Sequence, residues 1–118
     1  MAEFKTNLRE TNECSIIELS GYLDAHTAPE LESAFTGLID NSKFRVVVNF
    51  QDLEYISSAG LGVFMAYIET MRENGGDIKL ANMKPTVFSI FDLLGFPLLY
   101  DILPDVDGAL SKFKQQGA

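Results

Sequence analysis

Three consecutive valines, Val46, Val47 and Val48, put apolar side chains on both faces of any strand that contains them. Such a run has no solvent side, so residues 44–50 are read as a central strand covered on both faces. Directly behind it, residues 52–62 (Asp52, Leu53, Glu54, Tyr55, Ile56, Ser57, Ser58, Ala59, Gly60, Leu61, Gly62) turn into a helix. Its buried stripe is expected to be Leu61, Phe64, Met65, Ile68 and Met71, and Asn74-Gly75-Gly76 to stop it. A covered strand feeding an amphipathic helix is the unit of α/β folds. At 118 residues, with 47% hydrophobic and 22% charged residues, the chain is expected to form one domain with its core at about residues 5–115.

The other elements arrange themselves around that corner. Phe4, Thr6 and Leu8 alternate with Lys5, Asn7 and Arg9 as a half-exposed first strand. Thr11-Asn12-Glu13 turns it into a second strand over residues 14–20, giving an antiparallel hairpin. A loop is expected over residues 21–26. Thr27-Ala28-Pro29-Glu30 then reads as a capping box opening a helix with Leu31, Ala34, Phe35, Leu38 and Ile39 on one face. After the second helix come a fourth strand over residues 77–82 and a third helix from Pro85 to Gly95. The face of that helix is Val87, Phe88, Ile90, Phe91 and Leu94, with Phe88, Phe91 and Phe96 mostly core. An extended segment over residues 98–103 and a last helix with Val106, Ala109, Leu110 and Phe113 complete the chain, with residues 114–118 frayed. The β-α-β order makes strands two to four parallel, so their carboxyl ends share one edge. The loops over residues 21–26, 52–58 and 82–85 meet there, bringing Asp24, His26, Ser57, Ser58 and Lys84 to one patch.

Composition narrows the chemistry. A net charge of −8 with scattered basic residues disfavours nucleic acid as a partner. No apolar run approaches the roughly 20 residues of a membrane span, and Met1-Ala2-Glu3-Phe4 has no leader character, so a cytoplasmic protein without direct membrane insertion is expected. The single cysteine, Cys14, excludes an internal disulfide and reads as packing. One histidine and one cysteine on separate elements do not make a metal site, and no cofactor is implied. Ser58, His26 and Asp24 lack the nucleophile-elbow pattern of a hydrolase. Asp52 lacks the acidic pair of a phospho-accepting receiver domain. Gly60 and Gly62 are followed by no phosphate-cradling lysine, so close helix-to-strand packing is the expected reason for both. At the corner, either Ser57 or Ser58 can cap the helix or carry a phosphate that the helix dipole tolerates.

Tyr22-Leu23-Asp24 after Gly21, then Thr27-Ala28-Pro29-Glu30-Leu31, resembles the loop and helix start of STAS domains, and residues 52–62 resemble their phosphorylation corner. The resemblance covers about residues 5–115. It implies a STAS-type mixed sheet of four or five strands with about four helices packed mainly on one face. In free-standing bacterial members, the anti-sigma factor antagonists, a serine at this helix start is phosphorylated by an anti-sigma factor that is also a serine kinase. The unphosphorylated protein binds that kinase and frees a sigma factor, and a serine phosphatase restores binding. Carried over on Gly60-Leu61-Gly62, the phosphoacceptor is Ser58, with Ser57 as the alternative where many antagonists have aspartate. Asp24, His26, Ser57, Ala59, Gly60 and Lys84 are the residues expected to meet the partner. The function implied is a non-enzymatic partner switch. The alternatives are an accessory subunit docking on a membrane lipid transporter, and a sensor of small molecules or nucleotides, to which STAS relatives have been linked.

Overall fold

The computed structural model describes residues 3–117. Among them the elements run β1 (Lys5–Glu10), β2 (Ser15–Leu23), α1 (Ala28–Asp40), β3 (Arg45–Ile56), α2 (Ser58–Glu73), β4 (Asp77–Ala81), α3 (Pro85–Leu93), a 3-10 turn (Phe96–Leu98), β5 (Ile102–Leu103) and α4 (Val106–Gly117). The five strands form one sheet in the order β1-β2-β3-β4-β5. β1 runs antiparallel to β2, and every later pair is parallel. This is the mixed sheet expected.

The valine run explains the layers. Val46 and Val48 join Ile17, Leu19, Phe50, Ile78 and Leu80 under α1, α2 and α3. Val47 turns the other way, with Cys14, Ile16 and Ala81, against Ala109 and Phe113 of α4. Three helices therefore cover one face and the fourth covers part of the other. A run of aromatic contacts binds the larger layer together. Phe64 of α2 meets Phe35 of α1 and Phe50 of β3 at 5.9 and 5.7 Å between centroids. Phe91 of α3 meets Phe50 and Phe96 at 5.5 and 4.9 Å, edge to face. Each such pair adds about 1 kcal/mol beyond the burial of its area.

Several expectations need correction, each for a physical reason. β2 and β3 do not stop at Ser20 and Phe50. They continue as a pair to Leu23 and Ile56, with register shifts on either side of the Ser20 and Gly21 pairings. Gly21 has φ +87°, and a Cβ there would lie 2.0 Å from the carbonyl oxygen of Glu3. It marks an irregularity inside the strand rather than its end. Leu8 projects from the edge strand β1 and is half exposed. Thr27 makes no capping-box bond, because its hydroxyl accepts from Asp24 N and donates to Tyr22 O. Of the apolar face foreseen for α3, only Val87 and Phe91 are buried; Phe88 and Leu94 are exposed. Leu93 and Leu98 are 85% and 94% exposed, and Met65 of α2 is also exposed. The segment expected to be extended over residues 98–103 begins as the 3-10 turn and leaves only a two-residue strand. α4 continues to Gly117 where fraying was expected, and Ala118, like Met1 and Ala2, lies outside the described residues.

Candidate functional site

Leu23 and Ile56, the last residues of β2 and β3, pair side by side and are both buried. They fix where the two chains leave the sheet. Ser57 N donates to Leu23 O at 2.8 Å, so the residue after each strand, Asp24 and Ser57, begins its turn at the same edge. The loop foreseen over residues 52–58 is therefore strand as far as Ile56, with Ser57 as the turn.

The two serines take different positions. Ser57 is the N-cap of α2, with φ −97° and ψ 173°, and its Oγ accepts from Gly60 N at 3.4 Å. Ser58 is the first helical residue, exposed, and its hydroxyl has no hydrogen bond within the described residues. Ala59 is half-buried and packs against the core. Gly60 is buried, and a Cβ on it would come within 2.7 Å of Leu23 Cγ and 3.0 Å of Ile56 Cγ1. Its lack of a side chain is what lets the first turn of α2 lie on the strand ends. Gly62, expected to serve the same purpose, has open space around it and does not.

Asp24 is a turn residue in the structure. Its Oδ1 accepts from the backbone N–H of His26 at 2.9 Å and of Thr27 at 3.1 Å. The Thr27 N–H first, and the His26 N–H after it, hold this carboxyl below the ordinary aspartate range. The bond goes to the histidine's backbone and not to its ring, so the Asp-His arrangement of a triad is not built. His26 itself is exposed. Lys84 reaches the neighbouring stretch of β3, where its Nζ donates to Gln51 O at 2.8 Å and Leu53 O at 3.3 Å. The structure thus brings Asp24, His26, Ser57 and Ser58 to one corner and ties Lys84 to the flank of β3. Among the described residues, no group of three or more His, Cys, Asp or Glu side chains could hold a metal ion, and no helix is long and apolar enough to cross a membrane.

Two residues were missed by sequence reasoning. Tyr22 and Tyr55 are register partners, and their rings stand 5.9 Å apart on the surface beside this corner. Their alternation with the buried Leu23 and Ile56 was the available signal, hidden because both strands were ended too early.

Comparison with known proteins gives the chain its relatives. The STAS domain model matches residues 5–109. BtrV of Bordetella bronchiseptica, assigned by name as an anti-sigma factor antagonist, is 31% identical over 96 residues, covering 81% of this chain and 83% of that one. The anti-sigma-B factor antagonist of Bacillus subtilis is 27% identical over 95 residues, covering 80% and 85%. The Bacillus anti-sigma factor antagonist SpoIIAA shares the fold at 22% identity. Its unphosphorylated form covers 94% of this chain and 97% of its own with a TM-score of 0.81, and its phosphorylated form has a TM-score of 0.72 over 92% and 98%. On a family match that takes in both the paired strand ends and the serine corner, the chain belongs to the STAS domain family.

Proposed function

We propose that this chain is an anti-sigma factor antagonist that binds its anti-sigma factor unphosphorylated and is released when Ser58 is phosphorylated. The observation that carries the reading is the division of labour at the corner. Ser57 holds the cap, so the Ser58 hydroxyl is left exposed, with no hydrogen-bond partner among the described residues, at the positive end of α2. The names of BtrV and the B. subtilis relative support the class of partner. Both forms of SpoIIAA share this fold, which fits a switch that needs no refolding.

The energetics favour a switch of binding over one of structure. A phosphate brings nearly two negative charges. At an exposed helix N-terminus these are stabilised by up to about 1 kcal/mol, so the fold tolerates them. Buried against a partner, the same charge must lose its water or face carboxylates, which costs about 2–5 kcal/mol. The second figure exceeds the first, so modification ends binding while the domain stays folded. The partner implied is an anti-sigma factor with serine kinase activity, with a serine phosphatase resetting the cycle. The chain itself acts by binding and performs no catalysis.

The test is the affinity of purified wild type, Ser58→Ala and Ser58→Asp for the anti-sigma factor kinases of the source organism. Ser58→Ala should bind within a few-fold of wild type, and Ser58→Asp at least about tenfold more weakly. Equal binding by all three would sink the charge argument.

A further inference from the structure

β1 is the outer strand of the sheet and pairs on one side only, with β2. Thr11 N donates to Cys14 O across the hairpin, so by alternation residues 5, 7 and 9 turn their backbone groups to β2. Thr6, Leu8 and Glu10 turn theirs outward, and no other backbone pairs with that edge among the described residues. Beneath the edge lies a groove of about 480 Å³ between β1 and α1, with Leu8, Ile17, Ala34, Gly37 and Leu38 in its walls. Leu8 is 53% exposed there, although its register partner Ile17 and the neighbouring Leu38 are buried. Gly37 sits inside α1, where glycine weakens a helix, and a Cβ on it would meet nothing within 4 Å. Packing within the chain does not call for that glycine. Its effect is to leave the groove open.

We propose that this groove docks an extended segment of another protein, which joins the sheet as a further strand beside β1 and in which apolar and acidic residues alternate. The incoming backbone satisfies the outward N–H and C=O groups of Thr6, Leu8 and Glu10. Strand side chains alternate, so every second one enters the groove and meets Leu8, Ile17 and Leu38, which favours an apolar residue. The others lie on the opposite face beside Lys5, Asn7 and Arg9, in the pairs where side chains approach most closely. That row carries excess positive charge. Glu18 is engaged by Asn7 and Arg9, while Lys5 is in no ion pair among the described residues. An acidic residue complements the row, and the acidic surface elsewhere on the chain is screened beyond about 10 Å. The same row disfavours a second copy of this chain, since β1 against β1 would set Lys5 and Arg9 beside Lys5 and Arg9. The groove lies toward the start of β2 and the serine corner at its end, so this contact is separate from the proposed switch and does not rest on it.

The experiment titrates the synthetic strand acetyl-Thr-Asp-Val-Asp-Val-Asp-Thr amide into wild type and Gly37→Leu, followed by NMR. Two control peptides replace its aspartates by lysine or its valines by serine. Leucine is a better helix former than glycine, so Gly37→Leu fills the groove without unfolding α1, which a melting curve checks. Wild type should show saturable shifts centred on Thr6, Leu8 and Glu10, with hydrogen exchange at those amides slowed at least about tenfold. Both control peptides, and the Gly37→Leu variant, should bind at least about tenfold more weakly. Equal binding of the lysine peptide overturns the acidic pattern, and equal binding by Gly37→Leu overturns the groove. Absence of shifts along β1 at millimolar peptide overturns the docking altogether. A dimer that forms with concentration in sedimentation, protecting the same amides without peptide, gives the edge to a second copy and overturns the choice of occupant.

Discussion

At Ser57 the backbone is extended while the next residue is already helical, and its Oγ reaches the amide of Gly60 at 3.4 Å. That bond is long, so its removal should be mild: Ser57→Ala is expected to lower stability by about 0.5–1 kcal/mol, read as a shift in chemical denaturation midpoint. Ser58→Ala removes no hydrogen bond within the described residues and should leave that midpoint in place. At the same scale, Asp24 and Glu18 give the protein an acid limb. Glu18 is held below its ordinary value chiefly by the Asn7 amide, with Arg9 adding to it, and Asp24 by the Thr27 and His26 amides. Both pKa values are depressed on folding, so their contribution is complete above the unfolded value of about 4 and is lost as pH falls through the folded values. Melting temperatures followed from neutral pH downward should drop across that range, and Asp24→Asn should flatten the drop. Residue types alone had left either serine free to cap; only the backbone angles separate them.

The element that decides the site's shape is the first turn of α2 against the ends of β2 and β3. Gly60 is packed against the Leu23 and Ile56 side chains near their branch points, which cannot swing aside cheaply. Gly60→Ala should therefore destabilise by about 1–3 kcal/mol and displace the serine corner. Gly62 is exposed with nothing near it, and Gly62→Ala should stabilise by about 0.5–1 kcal/mol through helix propensity. Denaturation of the two variants side by side checks both signs. Helices and parallel strands were legible because their apolar periods are strong, as in Leu31, Phe35 and Leu38 or Val46 to Val48. The extension of β2 and β3 was not. Gly21 and the polar Gln51 and Asp52 look like strand ends, and only pairing across the ribbon shows that they are passed through. The tyrosine surface was lost with them. Leu94 and Leu98 misled for the opposite reason, since hydrophobic spacing cannot say whether anything is there to cover them.

Across the whole molecule, the two faces of the sheet are held by different means. The larger layer is aromatic and aliphatic. Under α4 the layer contains Lys79, with 0% of its side chain exposed, whose Nζ binds Asp77 at 3.0 Å and Asp101 at 2.7 Å and stands 4.6 Å over the Phe113 ring. Lys79→Ala leaves those carboxylates without their central cation and opens space under Phe113, so it should cost about 3 kcal/mol. Lys79→Met, which keeps the packing, should cost less; urea midpoints of the two distinguish charge from volume. Neither change touches the serine corner, and both variants should bind partner as wild type does when folded. In the proposed switch a rigid domain carries a removable charge at one helix start. The most direct test of the switch is intact-mass analysis and phosphosite mapping of the protein isolated from its own cells, before and after phosphatase, with partner affinity measured for each form. A single phosphate on Ser58 is expected, with a phosphorylated form that stays folded yet no longer binds. A phosphate on Ser57, no phosphate under any growth condition, or a phosphorylated form that binds as tightly as the bare protein would contradict it.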